Sequence, residues 1–276
     1  MEIIDAHQHF WKFDPLIHDW ITDDMSVIKK DFLPNDLLSI YQENNIAGCV
    51  AVQADQSEAE TDFLIKLSAT NSFIRGIVGW IDLRATNIDE LLTKYTTEPI
   101  IKGFRHVLQS EPQRDLMLSL DFKRGINALQ ARDYSFDILI FTDQLAFASE
   151  LAETFPEQRF VVDHIAKPDI LLKEINEWKA GIETLAANPN VYCKISGMVT
   201  EANHKNWTPN DFTPYLDIIT TNFGTNRIMY GSDWPVCLLS ASYKQVLSIV
   251  QDYFSSFSNE DQQKFFAGNA IKFYKL

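Results

Sequence analysis

Short apolar runs rich in Val and Ile alternate with longer amphipathic stretches along the whole chain. Residues 3–7, 48–53, 75–81, 100–106, 136–141, 159–164, 191–195 and 227–230 read as strands buried on both faces, since a strand covered on one side only would alternate apolar with polar. Between them, residues 34–45, 58–70, 121–133, 144–155, 170–188 and 213–223 carry helical periodicity, and two further helical stretches, 240–254 and 259–267, close the chain.

Eight strands, each followed by a helix, predict a closed parallel (β/α)8 barrel of the α/β class. An open doubly wound sheet is the alternative, but it usually carries a glycine-rich turn after its first strand. Here that strand ends Asp5-Ala6-His7-Gln8-His9, with no glycine. The length of 276 residues, 46% of them hydrophobic, suits one such barrel, and no linker or repeat divides it, so residues 1–276 form one domain. Two connections are long. Residues 10–33 carry Trp11, Phe13, Pro15 and Trp20, and residues 197–209 carry His204 and Trp207. Both are expected at the C-terminal face of the barrel, where active sites of this fold lie. They form either a wall over a pocket or ordinary loop packing.

The formal net charge is −14 and no Lys/Arg run is present, which argues against nucleic acid as a partner. Cys49, Cys193 and Cys237 are odd in number, far apart and set in apolar runs, so buried reduced thiols are expected. No basic stretch followed by an apolar one opens the chain, and no apolar run reaches the ~18 residues of a membrane span. A cytoplasmic enzyme acting on a small molecule is the expectation; the sequence leaves open whether copies associate as a homo-oligomer.

Candidate chemistry sits where strands end. His7 and His9, two apart, face the same way on a strand, and imidazoles converging at a barrel mouth can bind one metal ion or grip a substrate oxygen. His164 follows the sixth run. Asp233 follows the eighth, in Tyr230-Gly231-Ser232-Asp233-Trp234-Pro235; first and last strands of a closed barrel are neighbours, which brings Asp233 toward His7 and His9. A helix-capping aspartate is the structural alternative. A carboxylate beside imidazoles suits general-base work on water. Arg105 and Lys194, at the ends of the fourth and in the seventh runs, either hold a carbonyl or form structural ion pairs. Only one of Arg105 and His106 can face inward, and Arg105 is the better candidate. Trp80, Gln53, Trp11 and His204 are candidates for the pocket wall, and His18 is expected at the solvated surface.

Asp5-Ala6-His7-Gln8-His9-Phe10-Trp11, Gly103-Phe104-Arg105-His106, Asp163-His164-Ile165-Ala166-Lys167-Pro168, Lys194-Ile195-Ser196-Gly197, the Asp233 segment and the closing Gly268-Asn269-Ala270-Ile271-Lys272-Phe273-Tyr274 together resemble the amidohydrolase superfamily. More narrowly they resemble its lactonase-like branch, which includes L-fucono- and L-rhamnonolactonases and 2-pyrone-4,6-dicarboxylate lactonase. The resemblance spans the chain. It implies a core site of His7, His9, His164 and Asp233, with Asp233 as general base and Arg105 and Lys194 orienting a lactone. Binuclear members use a carboxylated lysine on the fourth strand and a histidine on the fifth; here the fourth run ends in Arg105-His106, and the fifth has no histidine and is followed by Thr142-Asp143. The resemblance therefore implies at most one divalent ion, zinc first, on His7, His9, His164 and Asp233, or metal-independent hydrolysis. A metal-dependent decarboxylase of the same superfamily and a non-enzymatic sugar-acid binder are the competing expectations.

Overall fold

The computed structural model describes residues 1–276, and eight strands pair in parallel in chain order. They are β1 (Ile4–Gln8), β2 (Gly48–Val52), β3 (Ile74–Gly79), β4 (Ile101–His106), β5 (Ser135–Ile138), β6 (Phe160–Val162), β7 (Val191–Ile195) and β8 (Ile228–Tyr230). Around them run α1 (Pro34–Asn44), α2 (Glu58–Ser68), α3 (Ile88–Thr93), α4 (Leu120–Gln130), α5 (Leu145–Thr154), α6 (Asn176–Ala186), α7 (Pro209–Phe223) and α8 (Tyr243–Phe254). The short α9 (Asn259–Gln263), a π-helical turn (Lys264–Gly268) and α10 (Asn269–Tyr274) follow. This is the expected (β/α)8 barrel. No helix is long and apolar enough to cross a membrane.

Several boundaries differ from the periodicity, each for a local reason. α6 starts at Asn176 rather than residue 170, because Lys173 takes φ 59 and the Asp169 carboxylate accepts the Leu172 N–H, closing a turn. α7 starts at Pro209, where a first-turn proline is favoured and Asp211 caps the Thr208 N–H. α3 was not expected; six residues are too few to show a period. β6 ends at Val162, so His164 lies beyond the strand.

The ring closes between β8 and β1 at the candidate residues themselves. The Asp233 N–H donates to the His7 carbonyl (2.8 Å) and the His9 N–H to the Trp234 carbonyl (2.7 Å). β1 also carries a bulge: Asp5 pairs with Cys49 but Gln8 with Ala51, three steps against two. Ile4 and Ala6 belong to the inner apolar cluster, so strict alternation would turn His7 outward. The extra residue resets the phase, and His7 and His9 face in while Gln8 reaches outward to the Cys49 thiol.

Asp5 faces out of the barrel and accepts hydrogen bonds from the Ser232 N–H and hydroxyl, the His7 N–H, and the Tyr41 and Tyr243 hydroxyls. It ties the turn after β8 to β1 and to α1 and α8. At the far end, α10 plugs the barrel: Phe273 and Tyr274 pack with Ile4, Val50, Val52, Val78 and Met229. The turns after β6 and β7 meet closely. Gly197 has φ +65, and a Cβ there would lie 2.7 Å from the His164 Nδ1. Gly231 is constrained by space alone, its Cβ position lying 2.7 Å from the His7 Cβ.

Two predictions come from this scaffold. Gly197→Ala should cost about 1–2 kcal/mol for the left-handed backbone alone, measured by urea denaturation, and should displace the His164 ring signals in NMR spectra. An unchanged ring environment would contradict the contact. Glu60, in the first turn of α2, accepts the Ala54 N–H (3.1 Å); its burial, with Asp55 nearby, pushes its carboxyl up to about 7. Its folded value is above its unfolded one, so its contribution is full at pH below 4.5 and is lost as pH rises through about 7. Glu60→Gln should therefore be more stable than the parent at pH 8, by up to about 3 kcal/mol, with little difference at pH 5. Equal urea midpoints at pH 8 would refute this.

Candidate active site

Asp233 faces three imidazoles. Its Oδ1 lies 3.4 Å from the His9 Nε2 and 3.9 Å from the Nε2 of both His7 and His164, while the His7 and His9 Nε2 atoms are 3.2 Å apart. All four side chains are nearly inaccessible. The His9 ring is oriented by its Nδ1, which lies 2.8 Å from the Val52 carbonyl and can only donate to it, leaving the Nε2 turned toward Asp233. The His164 Nδ1 pairs with the Ser196 hydroxyl at 2.9 Å. Burial holds His7 and His164 well below the ordinary imidazole range, with Lys194 reinforcing the shift in His7 against Asp163. Both rings are therefore neutral near pH 7.

Backbone strain is concentrated at this point. Asp233 has φ 56, and His164, Ile165, Ala166 and Lys167 form an unbroken left-handed run with φ from 46 to 59. Each such residue costs roughly 1–2 kcal/mol. The Trp178 indole pins the run by donating to the Ile165 carbonyl at 2.7 Å. The strain is how a histidine two residues past the end of β6 is turned back over the barrel mouth.

His7, His164 and Asp233 each offer a ligand atom, all within 4.8 Å of one another, with the His9 Nε2 alongside, 3.2 Å from the His7 Nε2. Neutral imidazoles plus one carboxylate form the donor set of a catalytic zinc site. The residues fit a divalent ion.

Beneath this group lies a buried charged layer. The Lys194 ammonium, wholly inaccessible, contacts Asp137 Oδ2 (2.5 Å), Asp163 Oδ1 (3.0 Å) and His7 Nδ1 (3.1 Å). Arg105 donates to Asp163 (3.0 Å) and to the Gln53 carbonyl (2.6 Å), and its Nη1 lies 3.3 Å from the His7 Nε2. Burial raises Asp137 to about 6, against the pull of Lys194. Burial acts on Asp163 in the same sense, but the Lys194 charge, the adjoining His7 ring and the Arg105 charge hold it well below the carboxylate range.

The other candidates are placed as follows. Arg105 faces the interior; His106 faces the helices, bonded to Glu111 at 2.7 Å. Lys194 lies under the imidazoles, enclosed by its partners. Both amide atoms of Gln53, the Trp80 indole N–H and the Arg105 Nε are buried without protein partners. Trp11 is inaccessible and gives its N–H to the Lys30 carbonyl (2.9 Å), backing His9 with ring centroids 6.5 Å apart. His18 is not solvated as expected: it is 3% exposed, stacked on Phe13 and near Trp11, because the long first loop folds into its own aromatic cluster. His204 is exposed on the wall of a cleft of about 1100 Å³ that also includes Phe141, Lys167 and Glu201. Asp163, Asp137, Ser196 and Tyr274 were not singled out from the sequence. For Asp137 a signal existed, an acid inside the apolar run Phe136-Asp137-Ile138; for Tyr274 the signal was its place in the closing motif, which gave it no role.

Comparison with known proteins agrees with this architecture. An amidohydrolase family model matches residues 4–276. The L-fucono-1,5-lactonase of Burkholderia multivorans is 36% identical over 284 residues, covering 99% of this chain and 96% of that protein. The L-fucono-1,5-lactonase of Burkholderia ambifaria is 32% identical, covering 99% and 95%. A crystal structure of an amidohydrolase from Burkholderia multivorans with bound zinc superposes with a TM-score of 0.97 at 36% identity, covering both chains fully. With eight paired strands, the site at their C-terminal ends and this match from end to end, the chain belongs to the amidohydrolase family.

Proposed function

We propose that the chain hydrolyses a sugar-derived lactone of the L-fuconolactone or L-rhamnonolactone type, with Asp233 as general base. The observation that carries this reading is the carboxylate facing three convergent imidazoles, two of them held neutral by burial, in a chain 36% identical along its length to an L-fucono-1,5-lactonase.

In this reading Asp233 takes a proton from water as the water oxygen adds to the lactone carbonyl carbon. Arg105, whose buried Nε lacks a partner, stabilises the oxyanion. The tetrahedral centre collapses, the ring C–O bond breaks, and Asp233 returns its proton to the leaving alkoxide. The product acid then ionises and releases a proton to solvent. Gln53 and Trp80, with unpartnered polar atoms, hold ring hydroxyls, and His204 contributes from the cleft wall. Lys194 acts through His7, since its partners enclose it. Trp11 supports the His9 ring from behind. A divalent ion, zinc first, held by His7, His164 and Asp233 with His9 alongside, would supply Lewis acidity and a more acidic bound water.

Proton release measured with a panel of aldonolactones should show turnover, and Asp233→Asn should lower it by about 10²–10⁴-fold. No turnover with any sugar lactone would end the substrate assignment, and a variant within tenfold of the parent would end the base assignment. Carbon dioxide release from an unsaturated or aromatic acid, without lactone turnover, would point to the decarboxylase instead. Separately, calorimetry of metal-stripped protein should show zinc binding that His164→Asn weakens by 10-fold or more, about 1.4 kcal/mol; equal affinities would remove His164 from the ligand set.

A further inference from the structure

One charged residue of the turn after β6 has no part in the chemistry of Asp233. Lys167 ends the left-handed run that begins at His164, with φ 46. Its ammonium faces the Glu201 carboxylate at 3.7 Å and the Phe141 ring at 5.6 Å. Glu201 closes the turn that Gly197 opens against the His164 ring. The Glu201 carbonyl accepts the Leu171 N–H at 3.0 Å, so the loops after β6 and β7 hold each other at this point. Phe141, Lys167 and Glu201 all line the cleft of about 1100 Å³.

The two charges do not form a closed pair. At 3.7 Å they attract without a hydrogen bond between them, and no other protein group bonds to either. Both side chains are nonetheless mostly covered, at 18% and 21% exposed. Burial pushes the Glu201 carboxyl up, Lys167 pulls it down, and the Asp233 charge adds to the push, so Glu201 lies within reach of the proposed base. Beside the pair, Phe141 offers a partly open aromatic face. A hydroxyl group both accepts and donates, so it can take a bond from Lys167 and give one to Glu201 at once. The C–H face of a sugar ring can then rest on Phe141. A substrate carboxylate can only accept, and would meet Glu201 and Asp233 as like charges. Five acidic side chains line the cleft against two lysines, which opposes the approach of an anion.

We propose that Lys167 and Glu201 form the hydroxyl subsite of this barrel and set its substrate class: a neutral lactone with free hydroxyls, one of them seated between the ammonium and the carboxylate, and not a lactone that carries a carboxylate. The lactone in this statement rests on the preceding reading; the capacity to hold a neutral polyol does not. A site built to bond a substrate hydroxyl discriminates against the analogue that lacks it, because the buried partners are then left unpaired.

The test compares the γ-lactone of L-rhamnonic acid with γ-butyrolactone, the same ring without hydroxyls, in the parent, Glu201→Gln and Lys167→Met. Each substitution should lower the ratio of the two kcat/KM values by about 10- to 100-fold, mostly through KM for the hydroxylated lactone. In parallel, L-fucose, a neutral polyol with no ester to open, is titrated by saturation-transfer NMR. The parent should bind it, either variant should lose it, and 2-pyrone-4,6-dicarboxylate should not displace it; one folded variant suffices. A merely structural ion pair would lower stability and slow both lactones alike, and that unchanged ratio would overturn the proposal. So would L-fucose that the parent does not bind, that the variants bind equally well, or that the dicarboxylate displaces. L-fucose binding that depends on Glu201 in a protein that opens no lactone would keep the subsite and end the lactonase reading. Lactone turnover with an unchanged ratio would do the reverse.

Discussion

Two cations and two carboxylates share the interior of the barrel just below its mouth, and the geometry of the site rests on their being paired. Lys194 and Arg105 are countered by Asp137 and Asp163, with Asp163 bridging both cations. Replacing one member would leave an uncompensated charge in a space closed to solvent, at a cost of about 3–5 kcal/mol. The layer therefore settles together or not at all. Because Asp163 and Lys194 also touch the His7 Nδ1, fixing the charges fixes the ring above them. The position of one imidazole is thus set by residues on β5 and β7 and by the first residue past β6.

A second constraint acts from outside the barrel. Five donors converge on Asp5, and two of them belong to Ser232, the residue before Asp233. The proposed base and the β1 histidines are consequently parts of one rigid seam. That rigidity is what can sustain a left-handed Asp233 and four successive left-handed residues from His164 to Lys167. Strain of this size persists only where surrounding contacts over-determine the conformation. Here Asp5, Trp178 and the close approach of Gly197 supply them.

The sequence made some of this legible and hid the rest for identifiable reasons. Strands buried on both faces announce themselves as Val/Ile runs, so all eight were found with ends off by a few residues, and strand order then brought Asp233 beside His7 and His9. Period-two reasoning was right that His7 and His9 share a face, yet it could not say which face. The bulge between Asp5 and Gln8 decides that, and a one-residue insertion into a strand leaves no mark on an apolar pattern. His164 looked like a strand end because nothing in the side chains of Ile165 and Ala166 signals a left-handed backbone. His18 was misplaced because burial of a loop depends on what the loop meets. Lys194 and Arg105 were visible as chemistry, but whether a buried cation faces substrate or an aspartate depends on partners from other strands, and those partners are set by register.

The charged layer and the strained turns act on the same imidazole from two directions. From below, Lys194 and Asp163 both lie within 3.2 Å of the His7 Nδ1, and Arg105 reaches to 3.3 Å from its Nε2. From the other side, the left-handed Asp233 and the left-handed turn at His164 bring a carboxylate and a second ring over the first, with the Asp233 Oδ1 3.9 Å from both Nε2 atoms. The Lys194 ammonium is in turn anchored through Asp137, whose Oδ2 also accepts from the Tyr274 hydroxyl at the end of α10. The far end of the barrel, ordinarily a region of stability, is thus in contact with the groups that seat the ring at its mouth.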